Sequence, residues 1–332
     1  MSPRPFLRGA AVLAAAALVV TGCGSDDDTG SSAGGDGGSS SSGAFPVTVS
    51  TAFGDVEIEE EPTRVVALGW GDAETALALG VQPVGASDWL AFGGEGVGPW
   101  SEGLYDEAPE IIGTMEPSFE AIAALEPDLI LDTKSAGTQE RYELLSRIAP
   151  TVGMPEGVDA YQTTYEQQLE LVGQALGRTD EAEELAADVA QAFDDAAAAH
   201  PEFEGTEVAV AAFTSEGFGA YVQGDARVDF MEELGFVNDP EIQEQATDSF
   251  FVGVSEEQVS LLDAGLTVAF PIGTEASEFT SNPLWQALPS VQDGRVVVLD
   301  DPVLANAFSI GTAPGILYAL EETVPMFAEA LS

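Results

Sequence analysis

The longest regular pattern of apolar and polar positions runs from Thr179 to His200. Apolar residues recur there every three or four positions and charged residues fall between them, which predicts one amphipathic helix. We place its N-cap at Thr179, ahead of several acidic residues, and its end at His200-Pro201. At about 1.5 Å per residue, such a helix spans roughly 33 Å, the width of a small domain. It is long enough to connect two lobes.

The segments before and after this helix contain the same order of predicted elements. Before it, residues 64–68 predict a buried strand, which leads into a helix and then into Leu79-Gly80-Val81. After it, residues 207–213 predict a second buried strand, which leads into a helix and then into Leu234-Gly235-Phe236. The order strand, helix, strand therefore occurs twice in the sequence.

A second pair of segments supports this internal repeat. Residues 118–131 match residues 255–268 at a single offset, so that Ser118 corresponds to Ser255 and Glu120 to Glu257. We predict an α/β fold of two similar lobes, residues 44–177 and 202–332, joined by one connector helix over residues 178–201. Two lobes around a connector imply a cleft between them.

Three segments of the second lobe show no regular pattern of apolar and polar positions. Glycine and aromatic residues dominate 218–224 and 250–251, and acidic and proline residues begin 300–308, so we interpret all three as loops. Residues 313–331 predict a closing helix, which Pro325 is expected to kink or split.

The first 43 residues predict export and anchoring. Residues 1–23 combine Arg4 and Arg8 with an apolar run too short to span a bilayer, which is typical of a signal peptide. The run ends in Val20-Thr21-Gly22-Cys23, which matches a bacterial lipobox, so Cys23 is the predicted lipidation site. An ordinary secretory signal with an incidental cysteine is the alternative. Residues 24–43 are almost entirely Gly, Ser and Asp and predict a flexible tether.

Composition limits the partners and the chemistry. The chain has 58 acidic and 9 basic residues and a net charge of −49, so we expect no nucleic-acid partner. It has one cysteine and one histidine, which excludes an internal disulfide and argues against a zinc site. No Gly-x-Ser-x-Gly nucleophile elbow occurs between a predicted strand and a predicted helix, since the one run of this pattern, residues 30–34, lies in the predicted tether, and the sequence has no phosphate loop. Both observations disfavour a hydrolase. The single lysine is Lys134.

Three blocks of sequence resemble a known family. They are residues 63–85, residues 112–130 and residues 285–296, and together they are similar to the signatures of periplasmic-binding proteins for ferric siderophores and cobalamin. The resemblance implies a class III substrate-binding protein, in which two Rossmann-like lobes are joined by one long helix, and which has no enzymatic activity. Together with the predicted lipid anchor at Cys23, it indicates a monomeric protein held at the outer side of the cell membrane. It also implies a partner, the membrane permease of an ABC importer with its cytoplasmic ATPase.

The same resemblance implies residues for docking to the permease. In this family each lobe presents one exposed glutamate to a basic pocket of the permease. The matching positions are Glu74 in the first lobe and Glu257 in the second. Glu256 is adjacent to Glu257, and the choice between them stays open.

The ligand implied by the resemblance is a ferric siderophore, whose iron is already coordinated by the chelator. No cofactor and no metal-ligating residue of the protein is then required, and the cleft needs aromatic surface and a cationic group. We predict Arg227 as that group, with Lys134 and Arg141 as weaker candidates. The aromatic candidates are Trp70, Trp89 and Trp100 in the first lobe and Tyr221, Phe250, Phe251 and Phe308 in the second.

Other ligands remain alternatives. Cobalamin or haem fits the same type of importer, although a single histidine disfavours haem capture through histidine. Bare zinc or manganese is disfavoured because the predicted cleft has no histidines. The acidic net charge favours a neutral or cationic hydroxamate complex over ferric citrate.

Overall fold

The computed structural model describes residues 44–247 and 249–332. The predicted signal peptide, the tether and Cys23 lie outside the described residues. Within the described ranges, no helix combines the length and the apolar character needed to cross a membrane.

The first lobe is built on a parallel sheet that follows an N-terminal hairpin. The hairpin pairs β1 (Val47–Thr51) with β2 (Gly54–Ile58) in antiparallel register. The sheet has the order β5-β4-β3-β6-β7, and all of its neighbouring strands are parallel. Its strands are β3 (Val65–Ala67), β4 (Gly85–Ser87), β5 (Glu110–Ile112), β6 (Leu129–Leu131) and β7 (Thr151–Val152).

The helices of the first lobe begin at polar caps. Ser118, Thr138 and Thr164 accept hydrogen bonds from backbone N–H groups of the helices that follow them, which satisfies donors that the helix leaves free. Gly177, in the left-handed conformation, ends the last helix. These helices are α1 (Asp72–Ala78), α2 (Phe119–Ala124), α3 (Gln139–Leu145) and α4 (Tyr165–Leu176), with a short 3-10 turn at Pro99–Ser101.

The connector is one uninterrupted helix, α5 (Thr179–Ala199). Its apolar stripe buries Ala182, Val189 and Phe193, as the periodicity predicts. Its N-cap is Arg178 rather than Thr179, and no side chain caps this end. The prediction of Thr179 as cap is wrong because the turn at Gly177 lets the helix begin one residue earlier.

The second lobe has a six-stranded sheet. Its main path is β11-β9-β8-β12-β13, and β10 pairs with the start of β8. The strands are β8 (Glu207–Thr214), β9 (Gly217–Tyr221), β10 (Val237–Asn238), β11 (Phe251–Val254), β12 (Leu266–Pro271) and β13 (Val296–Val298). Most of 218–224 and Phe251 were expected in loops, but they form the antiparallel strands β9 and β11. In these strands Phe251 packs over Gly219, where a side chain would not fit.

The helices of the second lobe include one that the sequence interpretation missed. Residues 302–310 form α11, capped by Asp301 with Pro302 in its first turn, so the expected loop over 300–308 is wrong. Pro325 lies inside the closing helix without ending it. The helices are α6 (Ala226–Glu233), α7 (Pro240–Gln243), α8 (Ala276–Thr280), α9 (Pro283–Gln286), α10 (Pro289–Gln292), α11 (Pro302–Ile310) and α12 (Ala313–Ala330), with a 3-10 helix at Glu256–Leu262.

The two sheets repeat one arrangement. In the first lobe β3 lies between β4 and β6, and β7 follows β6; in the second, β8 lies between β10 and β12, and β13 follows β12. The hairpin partners β9 and β11 are additions to the second copy. A hydrophobic core extends from the first sheet through α4, α5 and α12 to the second sheet. The two lobes are therefore held together by this shared core as well as by the connector helix α5.

A candidate ligand cleft between the lobes

A cavity of about 740 Å³ is lined by residues of both lobes. The first lobe contributes the segment after β4, and the second contributes the end of β12, the segment after β13 and one face of α11. The lining includes Trp89 from the first lobe and Arg227, Phe270 and Asn306 from the second. The carboxyl ends of parallel strands are where open α/β sheets bind ligands. The cavity therefore lies where this fold places a ligand site.

Three aromatic rings form a stack on the first-lobe side. Trp70 and Trp89 are 4.1 Å apart between ring centroids and parallel to within 3°. Tyr161 covers the other face of Trp70 at 4.2 Å. The structure therefore places two of the aromatic candidates from the sequence, Trp70 and Trp89, in contact with each other, and Trp89 also lines the cavity. Their indole Nε1 atoms are buried and have no acceptor within residues 44–247 and 249–332.

Tyr161 was missed by the sequence analysis. It lies in the segment between β7 and α4 with φ at 66°, in the left-handed region that non-glycine residues rarely adopt. Its hydroxyl donates a hydrogen bond to the sulfur of the exposed Met115. The only signal in the sequence was an aromatic residue in a polar segment at the end of the first lobe.

Arg227 lies in the first turn of α6 and lines the cavity, as the sequence analysis proposed. It is 6% exposed. Asp225, the N-cap of the same helix, pairs with the guanidinium at 3.1 Å and accepts from the backbone N–H of Arg227. The guanidinium carbon lies 4.0 Å from the ring centroid of Tyr221. The Nε of Arg227 has no acceptor in the described part of the chain.

Burial controls the protonation of the groups around Arg227. It raises the pKa of Asp225, although the nearby guanidinium opposes this change. It also raises the pKa of Tyr221 to about 12, so the phenol beneath Arg227 is neutral at pH 7. Tyr221 is buried and supports the guanidinium by a cation–π contact.

Phe308, an aromatic candidate of the second lobe, packs in the core rather than in the cleft. Phe308 is 2% exposed and packs among Phe230, Phe270 and Phe327. Its prediction as a ligand residue is wrong, because the turn of α11 that carries it faces the core.

Phe250 and Phe251 are half-buried against the hydrophobic core, and neither is among the residues that line the cavity. The ring of Phe251 packs edge-on against Tyr221, with centroids 5.1 Å apart. These two residues pack at the sheet of the second lobe and not in the cleft.

Glu74 and Trp100 form a separate structural cluster. The Glu74 carboxylate accepts from the backbone N–H of Gly98 at 2.8 Å, from the Trp100 indole at 2.9 Å and from the Thr312 hydroxyl at 2.7 Å. Glu74 is 2% exposed, and burial raises its pKa. The expectation of an exposed docking glutamate at position 74 is therefore wrong, because the side chain is enclosed by its donors. Trp100 packs on Tyr318 and is not among the residues that line the cavity.

The second predicted docking residue has the exposure that the role requires. Glu257 and its neighbour Glu256 are both exposed in the first turn of the 3-10 helix Glu256–Leu262. Glu120 is exposed in the first turn of α2, after the cap Ser118. It is the position that the internal repeat pairs with Glu257.

The weaker cationic candidates differ from each other. Arg141 is buried, pairs with Asp132 at 2.7 Å and donates to the carbonyl of Thr114, so its charge is used inside the first lobe. Lys134 is also buried, behind the cleft, next to α6 of the second lobe. The described residues include no group of three or more His, Cys, Asp or Glu side chains that could hold a metal ion.

Residues 65–303 match the model of the family described as periplasmic binding protein. The chain belongs to this family. Among its relatives is a probable siderophore-binding lipoprotein of Bacillus subtilis, YfiY, which is 30% identical over 292 residues, covering 82% of this chain and 86% of that protein.

Solved structures of periplasmic binding proteins also match. PiaA of Streptococcus pneumoniae, crystallised with ferrichrome, has a TM-score of 0.72 and 26% identity, covering 86% of this chain and 98% of that one. SirA of Staphylococcus aureus, crystallised with staphyloferrin B, has a TM-score of 0.66 and 26% identity, covering 84% and 97%. The prediction of a two-lobed α/β binding protein is confirmed, and the family is one of binding proteins rather than enzymes.

Proposed function

We propose that this protein binds a ferric siderophore in the cleft between its lobes and delivers it to an ATP-driven membrane importer. The observation that carries the proposal is the cavity of about 740 Å³, with Trp89 on one side and Arg227 on the other. A relative named as siderophore-binding and neighbours crystallised with ferrichrome and staphyloferrin B support it.

The buried side-chain atoms around the cleft that lack a hydrogen-bond partner are all donors, whereas the two carboxylates that line the cavity, Glu275 and Asp300, are exposed. Trp70 Nε1, Trp89 Nε1 and Arg227 Nε are buried, and none has an acceptor among the described residues. A buried donor without a partner is costly, by about 1–3 kcal/mol. A ferric siderophore presents many carboxylate, hydroxamate or catecholate oxygens, all of which are acceptors. The cleft is therefore suited to a ligand rich in oxygen atoms.

The aromatic stack suits a large and rigid ligand. Trp89, which lines the cavity, is held against Trp70, whose other face is covered by Tyr161. Little side-chain freedom is therefore lost when a ligand packs on Trp89. The iron needs no protein ligand because the chelator surrounds it.

The importer would be contacted through one glutamate in each lobe, Glu120 and Glu257. Both are exposed, and both occupy the first turn of a helix that follows a serine. Glu120 replaces the buried Glu74 in this role. A carboxylate on a helix can enter an arginine pocket with defined orientation. The predicted lipid at Cys23 would hold the protein at the outer face of the membrane.

The test is a titration of tryptophan fluorescence in the purified protein, with correction for ligand absorption. The probes are ferric hydroxamates, ferric catecholates, ferric citrate, cobalamin and haem. Saturable quenching by one ferric chelate class, at submicromolar Kd, is the expected result. Saturation by cobalamin or haem alone would reject the siderophore assignment and favour that alternative.

Two pairs of variants locate the site. Trp89→Leu should weaken binding at least tenfold, whereas Trp100→Leu, which removes a tryptophan outside the cavity, should not. Arg227→Gln should weaken binding of an anionic chelate, whereas Arg147→Gln, which changes an exposed arginine of the first lobe, should not. Equal losses within a pair would place the ligand elsewhere.

A further inference from the structure

The single lysine of the chain is buried at the boundary between the lobes. Lys134 follows β6 in the first lobe and is 5% exposed. Its carbonyl accepts a hydrogen bond from the backbone N–H of Trp70 at 2.8 Å, which fixes its main chain beside the aromatic stack. Its ammonium reaches the second lobe, because a Cβ placed on Gly311 would lie 3.3 Å from Nζ.

Charged groups of the second lobe surround this ammonium at longer range. Asp225, Arg227 and Asp229 on α6 act on it electrostatically, and Asp72 acts from the first lobe. Lys134 and Asp229 both line a cavity of about 340 Å³ behind the cleft. No side chain among the described residues accepts a hydrogen bond from Lys134 or forms an ion pair with it within 4.0 Å. Burial lowers the pKa of Lys134, and the attraction of Asp225 opposes that effect.

The position of Lys134 changes the charge that Arg227 presents to a ligand. Asp225 is paired with Arg227 at 3.1 Å, so these two groups alone have no net charge. Lys134 acts on the same carboxylate from the opposite lobe. When Lys134 is protonated it adds one positive charge to the Asp225–Arg227 pair, while Asp229 and Asp72 add negative charge near Lys134 and the exposed Glu275 and Asp300 line the cavity.

We infer that Lys134 determines the charge specificity of the cleft: by offsetting Asp225 across the lobe boundary, it leaves Arg227 free to attract an anionic group of the ferric chelate. This inference rests on the proposed function and makes it narrower. Lys134 raises the affinity for anionic, carboxylate-bearing complexes relative to neutral or cationic ones, which is the opposite of what the net charge of the chain favours. Lys134 acts through Asp225 and Arg227 and is a positioning residue.

The experiment compares three ferric complexes of different charge: ferric citrate, which is anionic, ferrichrome, which is neutral, and ferrioxamine B, which is cationic. Each is titrated into the wild type, Lys134→Met, Lys134→Arg and Arg147→Met. A unit charge acting over roughly 10 Å at an effective dielectric constant of about 20 changes affinity about tenfold. Arg147→Met removes the same charge from the exposed surface of the first lobe and is the matched control.

Lys134→Met should weaken binding of ferric citrate about tenfold, leave ferrichrome unchanged and strengthen binding of ferrioxamine B. Lys134→Arg should restore the wild-type order, and Arg147→Met should follow the wild type. Asp225→Asn, which keeps an acceptor for the cap of α6, should strengthen citrate binding. This second variant tests the same electrostatics if Lys134→Met does not fold.

The outcomes separate this inference from the proposed function. Equal weakening of all three complexes by Lys134→Met would show a structural role only and overturn the inference. A wild type that binds ferrichrome or ferrioxamine B but not ferric citrate would also overturn it, while the proposed function would stand. A wild type that binds no ferric complex, in the full panel described above, would overturn both.

Discussion

Glu74 joins three distant parts of the chain through one buried carboxylate. Its oxygens accept from Gly98 and Trp100 in the first lobe and from Thr312, which caps α12. The sequence places Glu74 correctly in a helix but gives no sign of the burial. Its third donor lies 238 positions away, and a helical pattern carries no information on such a contact. An acidic residue in an acidic protein is usually exposed. Glu74 is buried instead because residues distant in the sequence donate hydrogen bonds to it.

The Glu74 cluster yields a prediction for stability. Glu74→Ala leaves three buried donors without an acceptor, and each such donor costs about 1–3 kcal/mol. We expect the free energy of unfolding to fall by about 3 kcal/mol or more, measured by urea denaturation. Glu120→Ala, at an exposed position, should change it by less than about 0.5 kcal/mol. Equal effects of the two substitutions would mean that the Glu74 hydrogen bonds contribute no net stability.

Asp229 gives a pH-dependent prediction. Burial raises the pKa of its carboxyl from 3.8 to about 6, with Asp225 and Glu232 adding repulsion and Lys134 and the Gly224 N–H opposing it. Between these two values the folded state holds the proton and the unfolded state releases it. The stability that this proton provides is therefore complete below about pH 4 and is lost as the pH rises through about 6.

Asp229→Asn removes this loss, because the amide stays neutral and still accepts from Gly224. The variant should match the wild type at pH 4 and exceed it by about 2 to 3 kcal/mol at pH 7. Urea unfolding at both pH values measures the difference. Asp188→Asn, at an exposed position of the connector, should show no such change. A difference that is the same at pH 4 and pH 7 would contradict the raised pKa.

At the scale of elements, continuous apolar runs were predictable and mixed ones were not. The predicted strands at 64–68 and 207–213 are observed as β3 and β8, because each is a continuous apolar run with a buried centre. β9 and β11 contain glycines, which are typical of loops, yet Gly219 lies in a strand because the ring of Phe251 occupies the space beside it. α11 carried a valid start signal, Asp301 before Pro302.

The packing of α4 on the connector α5 depends on a glycine inside a helix. A Cβ on Gly173 would lie 2.5 Å from the Cβ of Ala182 and 3.2 Å from the carbonyl oxygen of Arg178. Alanine has a helix propensity about 1 kcal/mol better than glycine, but the close approach outweighs this gain. Gly173→Ala should destabilise the protein by about 1–3 kcal/mol in urea unfolding.

The double variant Gly173→Ala, Ala182→Gly serves as the control for this packing. It moves the methyl group from α5 to α4, so it should recover part of the lost stability. A single variant more stable than the wild type would show that the two helices separate at little cost.

At the scale of the whole molecule, the internal repeat made the two lobes predictable, but the cleft was only partly so. Trp70, Trp89 and Arg227 were recognised as aromatic and cationic residues near strand ends, and the structure places them around one cavity or in its adjacent stack. Tyr161 was missed and Phe308 misassigned, because each depends on how a side chain turns relative to the core. The periodicity of a sequence locates an element, whereas the site also depends on how two separate sheets face each other.

The same repeat gives the last prediction, on delivery of the ligand. Glu120 and Glu257 occupy equivalent exposed positions, one in each lobe. In the docking proposed above, each lobe contacts the importer through one of these two carboxylates. Glu120→Lys with Glu257→Lys should therefore leave ferric chelate affinity unchanged and reduce iron-complex uptake by cells at least tenfold. Charge reversal at both contacts places lysines against basic pockets, which is strongly unfavourable.

The matched control is Glu183→Lys with Glu321→Lys, which makes the same change in net charge at exposed positions of the connector and of α12. Its uptake should be normal if docking, rather than overall acidity, determines delivery. Single reversals at Glu256 and Glu257 then show which of the two neighbours makes the second contact. Normal uptake by the Glu120, Glu257 double variant would reject this pair, and loss of uptake in both double variants would mean that acidity itself attracts the importer. Ligand affinity measured in parallel separates a docking defect from a damaged cleft.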